Sequence, residues 1–187
     1  MKQASAQWHP AVVRAYDFSK FSRIVDVGGG QGTLITLILK NHPHLRGVIF
    51  DSPSVIEGAR QRIEEAGLSG RCEVIAGDFF EAVPAGGDVY ILSVVIHDWD
   101  DERAVAILKN CRKAMATTGT LLLAEVTILP NNQPDFSKLV DIYMLTIGGR
   151  ERTESEFRQL LAKAGFQLLR SIPTASVLRV IEARPIL

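Results

Sequence analysis

The stretch Ile24-Val25-Asp26-Val27-Gly28-Gly29-Gly30-Gln31-Gly32 constrains this chain more than any other. An apolar run suited to a buried strand ends at a loop with Gly at 28, 30 and 32, and an apolar helical pattern covers 33–40. A second apolar run, Gly47-Val48-Ile49-Phe50, ends in Asp51, nineteen residues past Gly32. Strand, glycine turn, helix, strand and acid open a nucleotide-binding α/β unit, in which the acid beyond the second strand accepts ribose hydroxyls. The glycines allow φ > 0 and let the backbone approach a ligand closely. A turn that merely closes a strand–helix corner is the plainer alternative, and the company of Asp51 argues against it. The dinucleotide fingerprint G-x-G-x-x-G wants its third glycine or alanine three residues after the second. Thr33 stands there, with Gly32 one residue early, so the nicotinamide fingerprint is broken.

Helical and strand patterns alternate along the rest of the chain, which predicts a parallel sheet with helices on both faces. A helix over 53–66 has Pro at its start and Gly67 just past its end. A short strand at 72–76 leads into Gly77-Asp78-Phe79-Phe80, and 88–96 is an unbroken apolar strand of the doubly buried kind. A helix over 100–116 carries three acids in its first turn and Lys113 near its end, matching the helix dipole. The fifth strand is 120–126, and a turn at 130–134 precedes a helix over 135–145. Thr153-Glu154-Ser155-Glu156 reads as a capping box opening a helix to Lys163, which Gly165 stops. Strands at 166–172 and 176–182 flank Pro173 as an antiparallel edge hairpin. The expected architecture is a Rossmann-like α/β fold: a seven-stranded, mostly parallel sheet in which five strands are each followed by a helix, then the hairpin. Ligands of such sheets sit beyond the strand C-termini, where Asp26, Gly28, Asp51, Asp78, residues 93–97 and Glu125 all fall.

Composition narrows the partners. A chain of 187 residues fits one domain. Its 21 acidic and 21 basic residues cancel, and no basic block offers a phosphate backbone its counter-charge, so nucleic acid is a poor partner. Cys72 and Cys111 are isolated, the start lacks the apolar core of a signal peptide, and no apolar run approaches a bilayer span. The expectation is a cytoplasmic protein with no membrane partner.

The run from Asp26 to Gly32, as D-x-G-x-G-x-G, resembles the first motif of class I S-adenosylmethionine-dependent methyltransferases. The run from Val94 to Glu102, with His97-Asp98-Trp99-Asp100-Asp101 at its centre, resembles the signature of small-molecule O-methyltransferases of the plant phenylpropanoid and flavonoid, acetylserotonin and bacterial polyketide type. Ala15-Tyr16-Asp17-Phe18-Ser19, Gly77–Phe80 and Gly148-Gly149-Arg150-Glu151-Arg152-Thr153 extend the likeness across most of the chain. The glycine motif is shared by many methyltransferases; the histidine and Gly-Gly-Arg-Glu-Arg-Thr runs are the specific ones.

The resemblance implies a class I methyltransferase fold, S-adenosyl-L-methionine as cofactor and S-adenosyl-L-homocysteine as product. It assigns His97 as general base, with Glu125 and Glu151 as flanking acids that fix its tautomer. For the cofactor it implies Asp26, Gly28 and Gly30 at the methionine end and Asp51 on the ribose, with Ser52 among the binding residues. Asp78 and Phe79 come by the adenine. Ser93 stands where many members have Lys, and its contact is expected from backbone. Asp98 and Met144 are implied on the acceptor side. Chemistry agrees with the histidine: a neutral imidazole, of ordinary pKa ~6.5, can take the proton of a phenol (~10) far more readily than that of an aliphatic alcohol. The plainer reading of His97 is a helix-preceding ring satisfied by backbone, and Phe79, Trp99 and Met144 equally suit a core. Asp98, Asp100 and Asp101 invite a metal, yet acids at a helix start are more often caps, so none is expected. Family members carry an N-terminal helical domain that forms a homodimer and closes the acceptor pocket. Nothing like it precedes Met1, so 1–19 reads as the connecting helix and lead-in and 20–187 as the catalytic domain. The expectations are methyl transfer to a small-molecule hydroxyl, preferably phenolic, or else a cofactor-binding domain with little turnover, or N- or C-methylation on the same scaffold.

Overall fold

The computed structural model describes residues 2–129, 135–146 and 148–186. Helix α1 (Lys2–Ala15) leads into β1 (Arg23–Val27), α2 (Thr33–Asn41), β2 (Arg46–Asp51), α3 (Pro53–Glu65) and β3 (Cys72–Ala76). Strand β4 (Val89–Ser93), a 3₁₀ turn (Ile96–Asp98), α4 (Asp101–Ala114) and β5 (Thr120–Ile128) follow. The chain ends with α5 (Phe136–Thr146), β6 (Arg152–Thr153), α6 (Glu154–Lys163), β7 (Phe166–Pro173) and β8 (Leu178–Pro185). The sheet runs β3-β2-β1-β4-β5-β8-β7, with β6 added beside the end of β5. The first five strands are parallel; β8 runs antiparallel to both β5 and β7. The expected α/β fold with its edge hairpin is the one observed.

Burial on both faces explains the apolar runs. Val25, Val48, Tyr90, Leu92 and Leu121 pack with α4 and α6 in one cluster. Their sequence neighbours Ile24, Ile49, Ile91 and Leu122 pack with α1, α2 and α3 in the other. Alternate residues of each strand thus feed opposite cores, as a doubly covered parallel sheet requires. The capping box forms as expected: the Thr153 hydroxyl accepts from the Glu156 N–H, and Glu156 accepts from the Thr153 N–H at 2.8 Å.

Three features depart from the sequence reading. No helix follows β3: Gly77, Pro84, Gly86 and Gly87 break the 77–88 segment, and Phe79, Phe80 and Val83 cover that sheet face instead. Strand β4 stops at Ser93 rather than at 96, because Val94 adopts φ 57° and turns the chain out of the sheet. Positive φ is an outlier for a β-branched residue and costs roughly 1–3 kcal/mol. Arg152 and Thr153 also pair with Thr127 and Ile128, which the capping pattern alone did not announce. The turn expected at 130–134 lies outside the described residues. Among those residues no helix is long and apolar enough to cross a membrane.

Candidate active site

The sheet order reverses between β1 and β4, and both strands end at one cavity of about 290 Å³. Its wall includes Asp26, Gly28, Gly30, Asp51, Ser93, His97 and Asp98 from the strand ends, with Trp8 and His9 from α1. The glycine turn is anchored by Gly28 and Gly29 N–H groups donating to the Phe50 carbonyl at 2.8 and 3.3 Å. Gly28 has φ 70°, and a Cβ there would stand 2.7 Å from Val95 Cγ2. Gly30, at φ 58°, faces open space, and its N–H donates to Asp51 Oδ2 at 2.8 Å. The Ser52 N–H holds the other Asp51 oxygen at 2.7 Å and starts α3. Asp26 is buried with Oδ2 unpartnered, and burial, followed by the charge of Asp51, pushes its carboxyl up to about 7.

His97 rides on the 3₁₀ turn beyond Val94, 2% exposed. Its Nδ1 lies 2.8 Å from Glu151 Oε1, while Nε2 has no hydrogen-bond partner; Asp98 Oδ1, at 3.4 Å, is near enough only for charge attraction. Glu125 sits beneath the turn, its Oε1 accepting from the Val95 and Ile96 N–H groups at 3.0 and 2.8 Å. Burial alone would lower the His97 pKa. The Glu151 hydrogen bond and the charges of Glu125, Glu151 and Asp98 outweigh it and raise the ring to about 9. Burial raises Glu125 to about 7. One ligand-type atom each from His97, Glu125 and Glu151 lies within 4.8 Å of the others, a spacing open to a metal ion or a shared proton. Glu125 Oε2 and Glu151 Oε2 are both buried without partners.

The 148–153 segment clamps this turn from the far side. The Arg150 N–H donates to the His97 carbonyl at 2.8 Å, and a Cβ on Gly149 would overlap that carbonyl. Arg152, 1% exposed, donates to the Ile96 and Trp99 carbonyls at 3.1 and 2.8 Å and to Asp101 at the head of α4. The Glu151 N–H is held by Asp141 of α5.

Of the residues singled out in the sequence, Asp26, Gly28, Gly30, Asp51, Ser93, His97 and Asp98 share the cavity, and Glu125 and Glu151 support His97 from behind. Ser52, Asp78, Phe79 and Met144 do not form its wall. Phe79 packs edge-on against Phe80 and Trp99, Asp78 accepts from the Phe80 N–H, and Met144 is buried beside Gly149. Sequence reasoning missed Trp8, His9 and Arg152. A signal for His9 existed: with Val12 and Val13 of α1 and Tyr16 just past its end it falls on an i, i+3, i+4, i+7 stripe that packs inward.

The profile of the family described as O-methyltransferase domain matches residues 1–167. The phenazine O-methyltransferase PhzM of Lysobacter antibioticus is 50% identical over 177 residues, covering 94% of this chain and 52% of that protein. The crystal structure of LaPhzM superposes with a TM-score of 0.94 at 49% identity, covering 98% of this chain and 55% of that one. The O-methyltransferase NcsB1 from neocarzinostatin biosynthesis, solved with S-adenosylmethionine and 2-hydroxy-5-methyl naphthoic acid, gives 0.90 at 34% identity over 99% of this chain and 56% of that one. The chain spans about half the length of these relatives.

Proposed function

The chain belongs to the O-methyltransferase family, and from that premise we propose that it transfers a methyl group from S-adenosyl-L-methionine to the hydroxyl of a small molecule, by preference a phenol. One observation carries the reading: His97, with Nε2 free of hydrogen bonds and Nδ1 tied to Glu151, belongs to the wall that also holds the glycine turn and Asp51. The cavity fits the cofactor. Gly30 leaves room where a side chain would intrude, Asp51 stands at the ribose-reading position, and the orphaned Asp26 oxygen awaits a donor such as an ammonium. Asp78 and Phe79 follow β3 at the same sheet end, where the Gly77 N–H donates to the Asp51 carbonyl, which supports their assignment to the adenine side.

Bound there, S-adenosyl-L-methionine supplies a methyl on a cationic sulfur and leaves as S-adenosyl-L-homocysteine. His97 Nε2 accepts the acceptor hydroxyl's proton as the oxygen attacks. Glu151 keeps Nδ1 as the N–H donor and stabilises the imidazolium that forms, as an acid does behind a catalytic histidine. A ring raised to about 9 is basic enough to take the proton of a phenol of ~10 with little penalty. It is also mostly protonated at neutral pH, so a positive charge brought into the cavity, which opposes imidazolium, helps free the base. Much of the remaining acceleration comes from alignment of oxygen and methyl. Asp98 beside His97, and Met144 behind Gly149, belong to the acceptor side in this reading. This reading gives no role to a metal: Glu125 Oε1 accepts from two backbone N–H groups of the turn and Glu151 Oε1 holds the ring, contacts that position the base without an ion.

Residues 20–187 form the catalytic unit, and 1–19 a lead-in helix that adds Trp8 and His9 to the cavity wall. A cytoplasmic setting suits the two buried free cysteines. A homodimer belongs to the proposal for the full-length protein rather than for this stretch alone, in which α5 exposes Phe136, Leu139, Ile142 and Leu145 as apolar surface. The test is calorimetric binding of S-adenosyl-L-methionine, then label transfer to a panel of phenols and naphthols with His97→Ala as control. Absence of cofactor binding sinks the proposal; binding with no product from any acceptor reduces it to a cofactor-binding module.

A further inference from the structure

His9 is a second imidazole on the cavity wall that methyl transfer, as derived above, leaves without work. It is 8% exposed, its Nε2 lies 3.4 Å from the Ser93 hydroxyl at the end of β4, and its Nδ1 is buried with no partner. If Ser93 donates to Nε2, Nδ1 carries a hydrogen with nothing to receive it. Buried polar atoms without partners are rare, and each calls for an explanation. Here the same side chain lines a ligand cavity.

The cofactor's charges indicate what is missing. Besides its sulfonium, S-adenosyl-L-methionine carries an α-ammonium and an α-carboxylate. Asp26, Asp51 and Asp98 line the cavity and suit hydroxyls or an ammonium, but each repels a carboxylate. Among the described residues no Lys or Arg is on the wall, and Trp8, Gln31 and Thr33 offer neutral donors only. His97 has Nδ1 committed to Glu151, and its Nε2 is needed for the acceptor proton. Among the described wall residues, that leaves His9 able to donate a hydrogen and take up positive charge.

We infer that His9 is a binding residue for the α-carboxylate of the cofactor's methionine tail, held in orientation by Ser93; the inference rests on the methyltransferase reading of this cavity. Burial lowers the free ring's pKa to about 4, so it is neutral until an anion arrives beside it. An approaching carboxylate reverses that balance, because opposite charge favours the protonated ring.

The test compares two ligands on the 187-residue chain: S-adenosyl-L-methionine and its decarboxylated form, which keeps the sulfonium and ammonium. The wild type should prefer the full cofactor by about 10- to 100-fold, the worth of a hydrogen bond to a charged group. His9→Leu should erase that preference, weakening the full cofactor and leaving the decarboxylated one near its wild-type affinity, and His9→Gln, which keeps a donor, should recover part of it. Equal weakening of both ligands, or of neither, overturns the assignment. In the wild type, the His9 ¹⁵N resonances should move on adding the full cofactor and stay when the decarboxylated one is added. That readout decides the matter even if His9→Leu does not fold. A wild type that binds neither ligand sinks the parent reading along with this one, whereas a wild type that binds both with equal affinity sinks this one alone.

Discussion

Replacing Glu151 by Gln tests whether the buried pair sets the basicity of His97. The two side chains meet at 2.8 Å, and both are almost wholly buried, so solvent screens their attraction weakly. A rise from 6.5 to about 9 corresponds to roughly 3 kcal/mol favouring the protonated ring. Removing the charge of Glu151 leaves burial opposed only by Glu125 and Asp98. The midpoint should therefore fall by about 1–3 pH units, the usual worth of one close opposite charge. The assay is an NMR titration of ¹³C-labelled imidazoles, with the signal assigned by its loss in His97→Ala.

The same pair carries a stability signature. The folded pKa of His97 is raised above its unfolded 6.5, so its contribution is complete below about 6.5 and is lost as pH rises through about 9. Glu125 and Asp26 act in the same direction. Their folded values of about 7 lie above 4.5 and 3.8, so stability falls as pH rises between those limits. Denaturant melts of the wild type should therefore show stability declining from about pH 6.5 to 9 by a few kcal/mol, and Glu151→Gln should flatten that decline. A variant whose His97 midpoint stays within about half a pH unit of the wild type would refute the reasoning, since the ring's basicity would then not come from the contact.

Arg152→Met leaves the Ile96 and Trp99 carbonyls without donors and should cost roughly 2–4 kcal/mol, lowering Tm by about 5–15 °C in scanning calorimetry. Its half-exposed partner Asp101 can recover solvation, which keeps the estimate below that for a fully buried pair. Gly28→Ala and Gly30→Ala should separate stability from binding. The first forces a Cβ into Val95 as well as a left-handed backbone and should destabilise by roughly 2–4 kcal/mol, while the second meets no atom, costs only the left-handed backbone of about 1–2 kcal/mol, and should lower Tm less yet weaken cofactor binding at least about tenfold. Equal loss of Tm in both would refute the distinction.

What the sequence disclosed and what it hid divide along the range of the forces involved. Local rules located the glycine turn, the capping box at Thr153 and the strand Cys72–Ala76, whose bounds match the observed ones. Each depends on residues close together in the chain. Val94 defeats such rules: an apolar run through Ile96 reads as continuing strand, and the positive φ that breaks it is stabilised by tertiary contacts. Arg152 stood in the Gly-Gly-Arg-Glu-Arg-Thr run with no role assigned, since its acceptors at Ile96, Trp99 and Asp101 are about fifty residues away.

The grouping of His97 with Glu125 and Glu151 came from family resemblance, yet the sheet supplies a physical route to it. Ser93 pairs with Ala124 across β4 and β5, so Glu125 lies one residue further along the partner strand, level with the point where Val94 turns the chain outward. That turn aims the Val95 and Ile96 N–H groups back at the Glu125 carboxylate. β5 then runs on to Thr127 and Ile128, which pair with Arg152 and Thr153 and bring Glu151 to the other side of the imidazole. One strand therefore sets both acids: it bears Glu125 directly and places Glu151 through β6. A change in the β4–β5 register by a single residue would turn the Glu125 side chain to the opposite face of the sheet, away from His97, without altering a residue of the 97–102 signature. The base is thus a property of strand pairing as much as of the histidine.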